Sequence, residues 1–468
     1  MQKIWRKNVQ QGAKECLLIE TLDDDPTRWL AAATSLKTLL AKTSFEENEC
    51  IVEIRNHRQM YSDISFPISK DPNLLACIRE VQPKINHIID TRAANIWTSI
   101  AYHKRKAKYN NSAAKNCVII YVRPGSSAMF EMIEQHCLNA IKSVNFPTAT
   151  LSVEILPGMI VSSAEGDPKV VQYRLNSFTP WNGISIGVKG IKPDSGTLGG
   201  WIILTNNTDG QVINGVMTPY HVIAKVGSSN RAKNDSEGIG FQGKKFCPKG
   251  AIMWPSDYDS DGTIASCEES LRKNHDVEES KQALEILSSL RKSDGLGQVR
   301  FASGNTRSDK NEVMDWAIIE CQKTQKNKPP KAPVNESLIP ERSPRLKYQP
   351  GEHDYVKKFG PELTGGDWVL KRGRTTENTH GEVNSVSRRV KWEEKGKTES
   401  MELDIVGIGG DFGDRGDSGS WVVNSKFELV GMLNAMDTMS SGNHGIVTPI
   451  GSLLKDIEAR TGCRVSLP

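Results

Sequence analysis

From residue 180 onward the chain is written in short β-type runs. ISIGV, GGWIILTNN, GQVINGVMTPYHVIA, DWAIIECQ, WVLKRGRT, HGEVNSVSRRVKW, SMELDIVGIGG, GSWVVN, FELVGMLNAM and HGIVTPI follow one another, separated by turn residues such as the TDG of 208–210. Many short strands in series, with turns between them, argue for barrels or a sandwich. A Lys- and Pro-rich stretch, KTQKNKPPKAPVNESLIPERSPRLKYQP, has the composition of a linker. Placed at 323–352, it divides the β-region into halves, 180–322 and 353–468. Two segments break the β texture. Residues 266–293 are charged and helical, with Ala283, Leu284, Ile286, Leu287 and Leu290 on one side, and read as an exposed insertion on a β loop. The last is GSLLKDIEARTG, an amphipathic C-terminal helix.

Residues 1–165 have a different pattern. ECIVEIR, NCVIIYVRPG and TLSVEILPG read as strands, and PNLLACIREVQPKINHIID, AANIWTSIAYHK and SSAMFEMIEQHCLNAIKS as helices. This alternation predicts a small α/β domain. No phosphate loop or metal-ligand spacing stands out in it, and the adjacent His136 and Cys137 read as ordinary helix residues. The densest basic run, HKRKAK at 103–108, reads as a solvated loop.

Composition narrows the class further. The chain has 468 residues and a formal net charge of +4, too weak a bias to argue for a nucleic-acid partner. Its nine cysteines are odd in number and scattered, with no CxxC, so neither a disulfide framework nor a zinc site is expected. The first residues lack the apolar stretch of a signal peptide and no run is long enough to span a bilayer. The expectation is a cytoplasmic protein with no membrane contact, no metal and no cofactor.

The stretch GDRGDSGSWVVN, 413–424, sets Ser418 between Asp417 and Gly419 on a tight turn. Gly, Asp and Ser are common in hairpin connections. The same residues also suit a nucleophile, because small residues expose the hydroxyl and let backbone N–H groups converge on one point. A serine hydroxyl needs a base and an orienting carboxylate. His221, in TPYHV, sits at the end of an apolar strand-like run, and Asp315, in EVMDWAII, at the mouth of another. A buried aspartate is costly without a partner, so Asp315 asks for an imidazole or a set of N–H donors. His221 and Asp315 fall in the first β-half and Ser418 in the second, which places a site in the cleft between them.

The order His–Asp–Ser, with TPYHV, DWAII and GDSGS as its three motifs, resembles the chymotrypsin/trypsin-like serine proteases. FELVGMLNAM resembles the strand beside the substrate, and HGIVTPI with GSLLKDIEA the last strand and terminal helix, so the likeness spans about 183–463. The VLKRGRTT…GEV stretch adds a likeness to intracellular, fungal-type trypsin-like proteins, here with an extra N-terminal domain. The resemblance implies a double β-barrel and a serine endopeptidase working through an acyl-enzyme on a protein or peptide substrate. It implies Ser418 as nucleophile, His221 as base, Asp315 as its orienter, and the N–H groups of Gly416 and Ser418 as oxyanion hole. It places Phe412, Asn434, Met436 and Gly445 around the substrate pocket, with Asp411 adjacent and His444 able to enter. Phe412 argues against a plain Arg/Lys pocket. In the trypsin branch a freed N-terminus pairs with the aspartate before the serine, here Asp417. GISIGV, 183–188, is where such a terminus would arise, but no activation sequence precedes it. Asp417 then needs another cation or N–H donors, with Arg415 and Arg372 the candidates. The N-terminal domain is expected to control the protease or recruit its substrate, and to be where a regulatory partner would bind. The alternative reading is a latent protease-like interaction module.

Overall fold

The computed structural model describes residues 2–4, 14–21, 23, 25–42, 50–56, 64–106, 113–144, 146, 149–162, 168–169, 180–192, 195–226, 230–241, 250–308, 310–331, 348, 350–392, 398–437 and 444–468. At the N-terminus, β1 (Gln2–Ile4), β2 (Lys14–Glu20) and β3 (Cys50–Arg55) form a small sheet, with α1 (Trp29–Ala41) as the crossover between the parallel β2 and β3. A larger α/β unit follows: β4 (Ile64–Phe66), α2 (Pro72–Arg92), β5 (Trp97–Lys106), β6 (Lys115–Val122), α3 (Phe130–Lys142), β7 (Ser152–Pro157) and the short β8 (Ile160–Val161). Helix α2 starts where the Asp71 carboxylate accepts from the Asn73 and Leu74 amides, with Pro72 in the first turn. Its Leu74, Ile78, Val81, Ile85 and Ile89 recur at helical spacing and pack on Ile100, Tyr102, Val118 and Ile120 of the sheet.

The basic run is not a loop. His103–Lys106 continue β5, with His103 and Arg105 buried and Lys104 and Lys106 half-exposed. The alternation has period two, as a strand requires. Burial is supported by partners: Arg105 bonds Glu154 and Ser65, and His103 bonds Asp404. Residues 107 and 108 lie outside the described residues.

The first barrel contains β9 (Ser185–Val188), β10 (Gly196–Thr197), β11 (Gly200–Asn206), β12 (Val212–Thr218), α4 (Tyr220–Ile223), α5 (Arg231–Glu237), β13 (Ala251–Met253), α6 (Asp257–Arg272), α7 (Val277–Lys292), β14 (Gly297–Ala302), the ribbon β15 (Thr306–Arg307) and β16 (Val313–Met314), and β17 (Ala317–Glu320). Its antiparallel sheet runs β10-β9-β13-β14-β17-β12-β11 around Ile186, Leu198, Val216, Ile252, Val299 and Ile319. The insertion α6–α7 is docked rather than free: Ala283 and Leu287 are buried, and Leu290 packs on the barrel core. The start of the Pro-rich connection is also pinned. The buried Asn327 side chain accepts from Trp201 N at 2.7 Å and donates to Trp201 O at 2.8 Å. Residues 332–347 and 349 of that connection lie outside the described residues.

The second barrel is a closed ring. The strands β18 (Trp368–Gly373), β19 (Glu377–Val383), β21 (Thr398–Gly407), β22 (Trp421–Asn424), β23 (Leu429–Asp437) and β24 (His444–Pro449) pair in the order β18-β22-β23-β24-β21, and β19 joins β21 back to β18. Val369, Val383, Ile405, Phe412, Val422, Leu433 and Val447 fill it. Between the barrels lies a second core of Ile202, Met217, Trp316, Trp421, Met432 and the buried face of α8 (Ile450–Thr461). Strand β25 (Cys463–Ser466) then pairs with β11, so the C-terminus fastens one barrel to the other.

The N-terminal unit is continuous with the second barrel. β20 (Arg388–Trp392) pairs with β21 on one side and β5 on the other, carrying the sheet into β6 and β7. At this junction Arg388 is fully buried, bonded to Ser99 and Asp437 and stacked over Tyr121. β8 pairs with the far end of β23, Val161 opposite Met436 and Ile160 opposite Asp437.

Candidate active site

His221 is carried by a single helical turn rather than a strand end. β12 stops at Thr218, Pro219 takes φ −66°, and α4 begins at Tyr220. Asp315 lies between β16 and β17 and is wholly buried. Its two oxygens serve one residue: Oδ2 meets His221 Nδ1 at 2.8 Å and Oδ1 accepts from the His221 backbone N at 3.0 Å. A carboxylate acceptor at Nδ1 requires the proton there, which leaves the Nε2 lone pair available in the neutral ring. Nε2 is buried and has no hydrogen-bond partner among the described residues.

The serine turn belongs to the second barrel but is held by the first. Thr197 N donates to Ser418 O at 2.9 Å, and Thr197 Oγ1 donates to Gly416 O at 2.9 Å. Gly416 and Gly419 take φ of +93° and +101°, where a side chain is strained. A Cβ on Gly419 would also lie 2.3 Å from Thr197 O and 2.8 Å from Pro219. The turn therefore abuts the segment just ahead of His221. Ser418 is buried, and its Oγ donates to the Asn434 carbonyl at 3.2 Å rather than to His221.

The expected pocket residues are distributed as follows. Phe412 lies in the core of the second barrel, its ring between Gly381 and Gly445, where added Cβ atoms would lie 3.0 and 2.6 Å away. Asn434 is buried, with its carbonyl toward Ser418. Met436 is paired with Gly445 on one side and Val161 on the other. Asp411 is exposed on the loop. His444 does not stand apart for a substrate: it stacks on His103 of β5, with ring centroids 4.4 Å apart and planes 7° from parallel.

Among the described residues, His103, Asp404 and His444 form one group with donor atoms close enough to hold a metal. Two stacked, parallel imidazoles cannot both direct in-plane lone pairs at one ion. Asp404 is already bonded to His103 Nε2 at 2.7 Å, and Arg388 and Arg105 act on the same region. The group as arranged does not fit a metal. It is a buried polar seam between the N-terminal unit and the second barrel.

Asp417 is the residue whose partner sequence reasoning misplaced. Arg415 is exposed, and Arg372 lies over the Trp181 ring. The cation is Lys371, with Nζ 2.8 Å from Asp417 Oδ2 and both side chains fully buried. Thr376 Oγ1 donates to the same oxygen at 2.6 Å, Asp414 N at 3.0 Å, and Thr375 N and Thr376 N reach Oδ1 at 2.6 and 3.2 Å. Burial pushes the Asp417 carboxyl up, but Lys371 and these donors outweigh it and hold it below the usual range. A second buried pair, Arg374–Asp259, ties the same segment to α6 of the first barrel. A signal for Lys371 was present: in strand WVLKRG it shares the inward parity of Val369.

A six-stranded closed barrel, a second antiparallel barrel, and a junction between them that brings an Asp-oriented histidine beside a glycine-flanked serine turn together define the chymotrypsin/trypsin-like serine-protease fold. A family model agrees: that of Peptidase family S64 matches residues 262–466, a span containing Asp315 and Ser418 and starting after His221. Among solved structures, Thermobifida fusca protease A is 13% identical and matches 62% of this chain and 98% of its own, with a TM-score of 0.32. Cellulomonas bogoriensis chymotrypsin is also 13% identical, with 62% and 98% covered and a TM-score of 0.31. A glutamic acid-specific serine protease that uses a histidine triad in substrate binding is 14% identical over 62% and 100%, with a TM-score of 0.30.

Proposed function

We propose that this chain is a serine endopeptidase. The single observation that carries the reading is the His221–Asp315 pair at 2.8 Å, one imidazole held by both oxygens of one buried carboxylate beside the Ser418 turn. In this reading His221 Nε2 takes the Ser418 proton as Oγ attacks the scissile carbonyl, and the tetrahedral oxyanion is received by Gly416 N–H and Ser418 N–H. His221 then protonates the leaving amine, and water cleaves the acyl-enzyme by the reverse sequence. No metal or cofactor enters these steps. Phe412 is packed into the core of the second barrel, so the residue preference at the cut is left open in this reading. The described cysteine side chains are free thiols, in keeping with a reducing, cytoplasmic setting. The N-terminal domain, 1–165, regulates the two barrels, 180–322 and 353–468, because β8 covers the edge of β23 at Met436.

The second reading, a latent module, has one observation on its side: Ser418 Oγ donates to Asn434 O, not to His221. Catalytic hydrogen bonds often close only when substrate arrives. Covalent labelling of the full-length chain by a fluorophosphonate decides between them. Wild type should label, and Ser418→Ala and His221→Ala should not. A wild type that stays unlabelled would put the latent reading first.

A further inference from the structure

The helical insertion α6–α7 has no part in the chemistry just described, yet one of its carboxylates reaches the serine turn. Asp259, in the first turn of α6, is wholly buried. Its Oδ2 accepts from Ser195 Oγ of the first barrel at 2.9 Å and from Arg374 Nε of the second at 2.6 Å. Its Oδ1 accepts from Lys169 N at 2.9 Å and from Arg374 Nη2. The guanidinium is thus held through two nitrogens by both oxygens, which fixes its orientation as well as its charge. The helix is placed by Ser256, whose Oγ accepts from Asp259 N at 3.1 Å and donates to Ser195 Oγ at 2.9 Å. Arg374 in turn bears on the serine turn. Its Nη1 lies against Gly416, where an added Cβ would be 2.3 Å away. Arg374 N donates to Thr197 Oγ1 at 3.1 Å, and that hydroxyl donates to Gly416 O at 2.9 Å. Thr197 N donates to Ser418 O at 2.9 Å. The Gly416–Ser418 backbone is therefore caught between Arg374 and Thr197. Asp259 fastens both supports, Arg374 directly and Thr197 through Ser195, two residues before it.

Resting on the serine-peptidase reading, we infer that Asp259 is a positioning residue for the oxyanion hole, contributed by the helical insertion. Through Arg374 it sets the Gly416 amide, carried by the second barrel, at a fixed place relative to His221, carried by the first. The physical logic is register between two barrels. Base and nucleophile come from different barrels, and a misplacement of about 1 Å costs about 10²-fold in rate. Apolar packing alone lets two barrels slide a little. A buried pair gripped through two nitrogens does not, because leaving its geometry strands two charges in the interior.

The test compares full-length wild type, Asp259→Asn, Arg374→Met and the double variant by fluorophosphonate labelling kinetics and urea unfolding. Labelling gives a rate and an amplitude. Misplacing Gly416 slows the rate of every folded molecule, whereas losing folded protein lowers the amplitude alone. Each single variant is expected to slow the rate at saturating probe by about 10²-fold. The double variant removes both charges together, so it should recover most of the urea midpoint and still label slowly. A pair that served folding only would recover both. Labelling of the double variant at the wild-type rate would overturn the inference, as would wild-type rates in either single variant. If wild type itself fails to label, the peptidase reading falls, and amide hydrogen exchange of residues 415–419 decides whether Asp259 holds the turn. Faster exchange there in the double variant supports it, and wild-type exchange overturns it. If these variants do not fold, Arg374→Lys decides, since it keeps the charge but loses the grip through two nitrogens. Slowed labelling of folded Arg374→Lys supports the inference, and a wild-type rate overturns it.

Discussion

At the scale of single residues, the site separates groups that act from groups that orient. Asp315 spends both oxygens on His221, one on the ring and one on the backbone, so it fixes tautomer and position together. Asp315→Asn keeps the shape but places an amide against Nδ1, favouring the wrong tautomer. Under the peptidase reading kcat should fall about 10⁴-fold with little change in KM, measured on a peptide substrate. A kcat within a factor of about ten would remove Asp315 from the mechanism. These residues were readable in the chain because each motif is local: a glycine-flanked serine, a histidine after an apolar strand, an aspartate before one. Lys371 was not singled out, since its partner lies 46 positions away and only the barrel brings them together.

At the scale of elements, the seam between the N-terminal unit and the second barrel contains two strand pairs, β5 with β20 and β8 with β23, and a set of buried charges. Arg388 on β20 lies against Asp437 at the end of β23. Replacing it by Met leaves the Asp437 carboxylate buried without its cation, at a cost of about 3–5 kcal/mol. Urea unfolding of Arg388→Met, beside Arg388→Met/Asp437→Asn, checks this, with the double variant expected to recover part of the loss. β8 makes a functional prediction instead. A proline at 161 removes that residue's N–H and locks its φ, which disfavours the short pairing opposite Met436. If β8 restrains the site, Val161→Pro should raise peptide turnover several-fold over wild type. Equal turnover would remove support for control by the N-terminal domain.

At the scale of the whole molecule, buried titratable groups set the pH range of stability. Burial holds His444 well below the usual 6.5, and His380 is also lowered by burial. Each therefore binds fewer protons in the folded chain than in the unfolded chain below about pH 6.5, so stability falls as pH drops through that value. Asp404, Asp417 and Asp259 are shifted down: burial raises each, but His103, Lys371 and Arg374 respectively outweigh it. Their contribution is present above the ordinary carboxylate range and is lost below about pH 4. Denaturant titrations should therefore show a plateau above pH 7 and a decline below it of up to about 1.4 kcal/mol per pH unit for each histidine. His444→Gln should flatten part of the decline between pH 6.5 and 4; an unchanged profile would show that His444 does not carry it.

The sequence by itself determined what depends on near neighbours. Period-two apolar runs and turn residues announced the strands of both barrels, helical spacing announced α2 and α8, and three short motifs announced the serine, the histidine and the aspartate. Tertiary structure alone decided what depends on distant partners. HKRKAK has the composition of a solvated loop, but His103 and Arg105 are buried in β5 because Asp404, Glu154 and Ser65 are waiting for them. The α6–α7 insertion has a surface composition, but a barrel core receives Ala283, Leu287 and Leu290. Asp417 could be seen to need a cation, but which cation is a matter of strand register, and register places Lys371 inward and Arg372 outward. A charge can be buried only where its partner has been placed, and the placing is done by pairings between strands far apart in the chain.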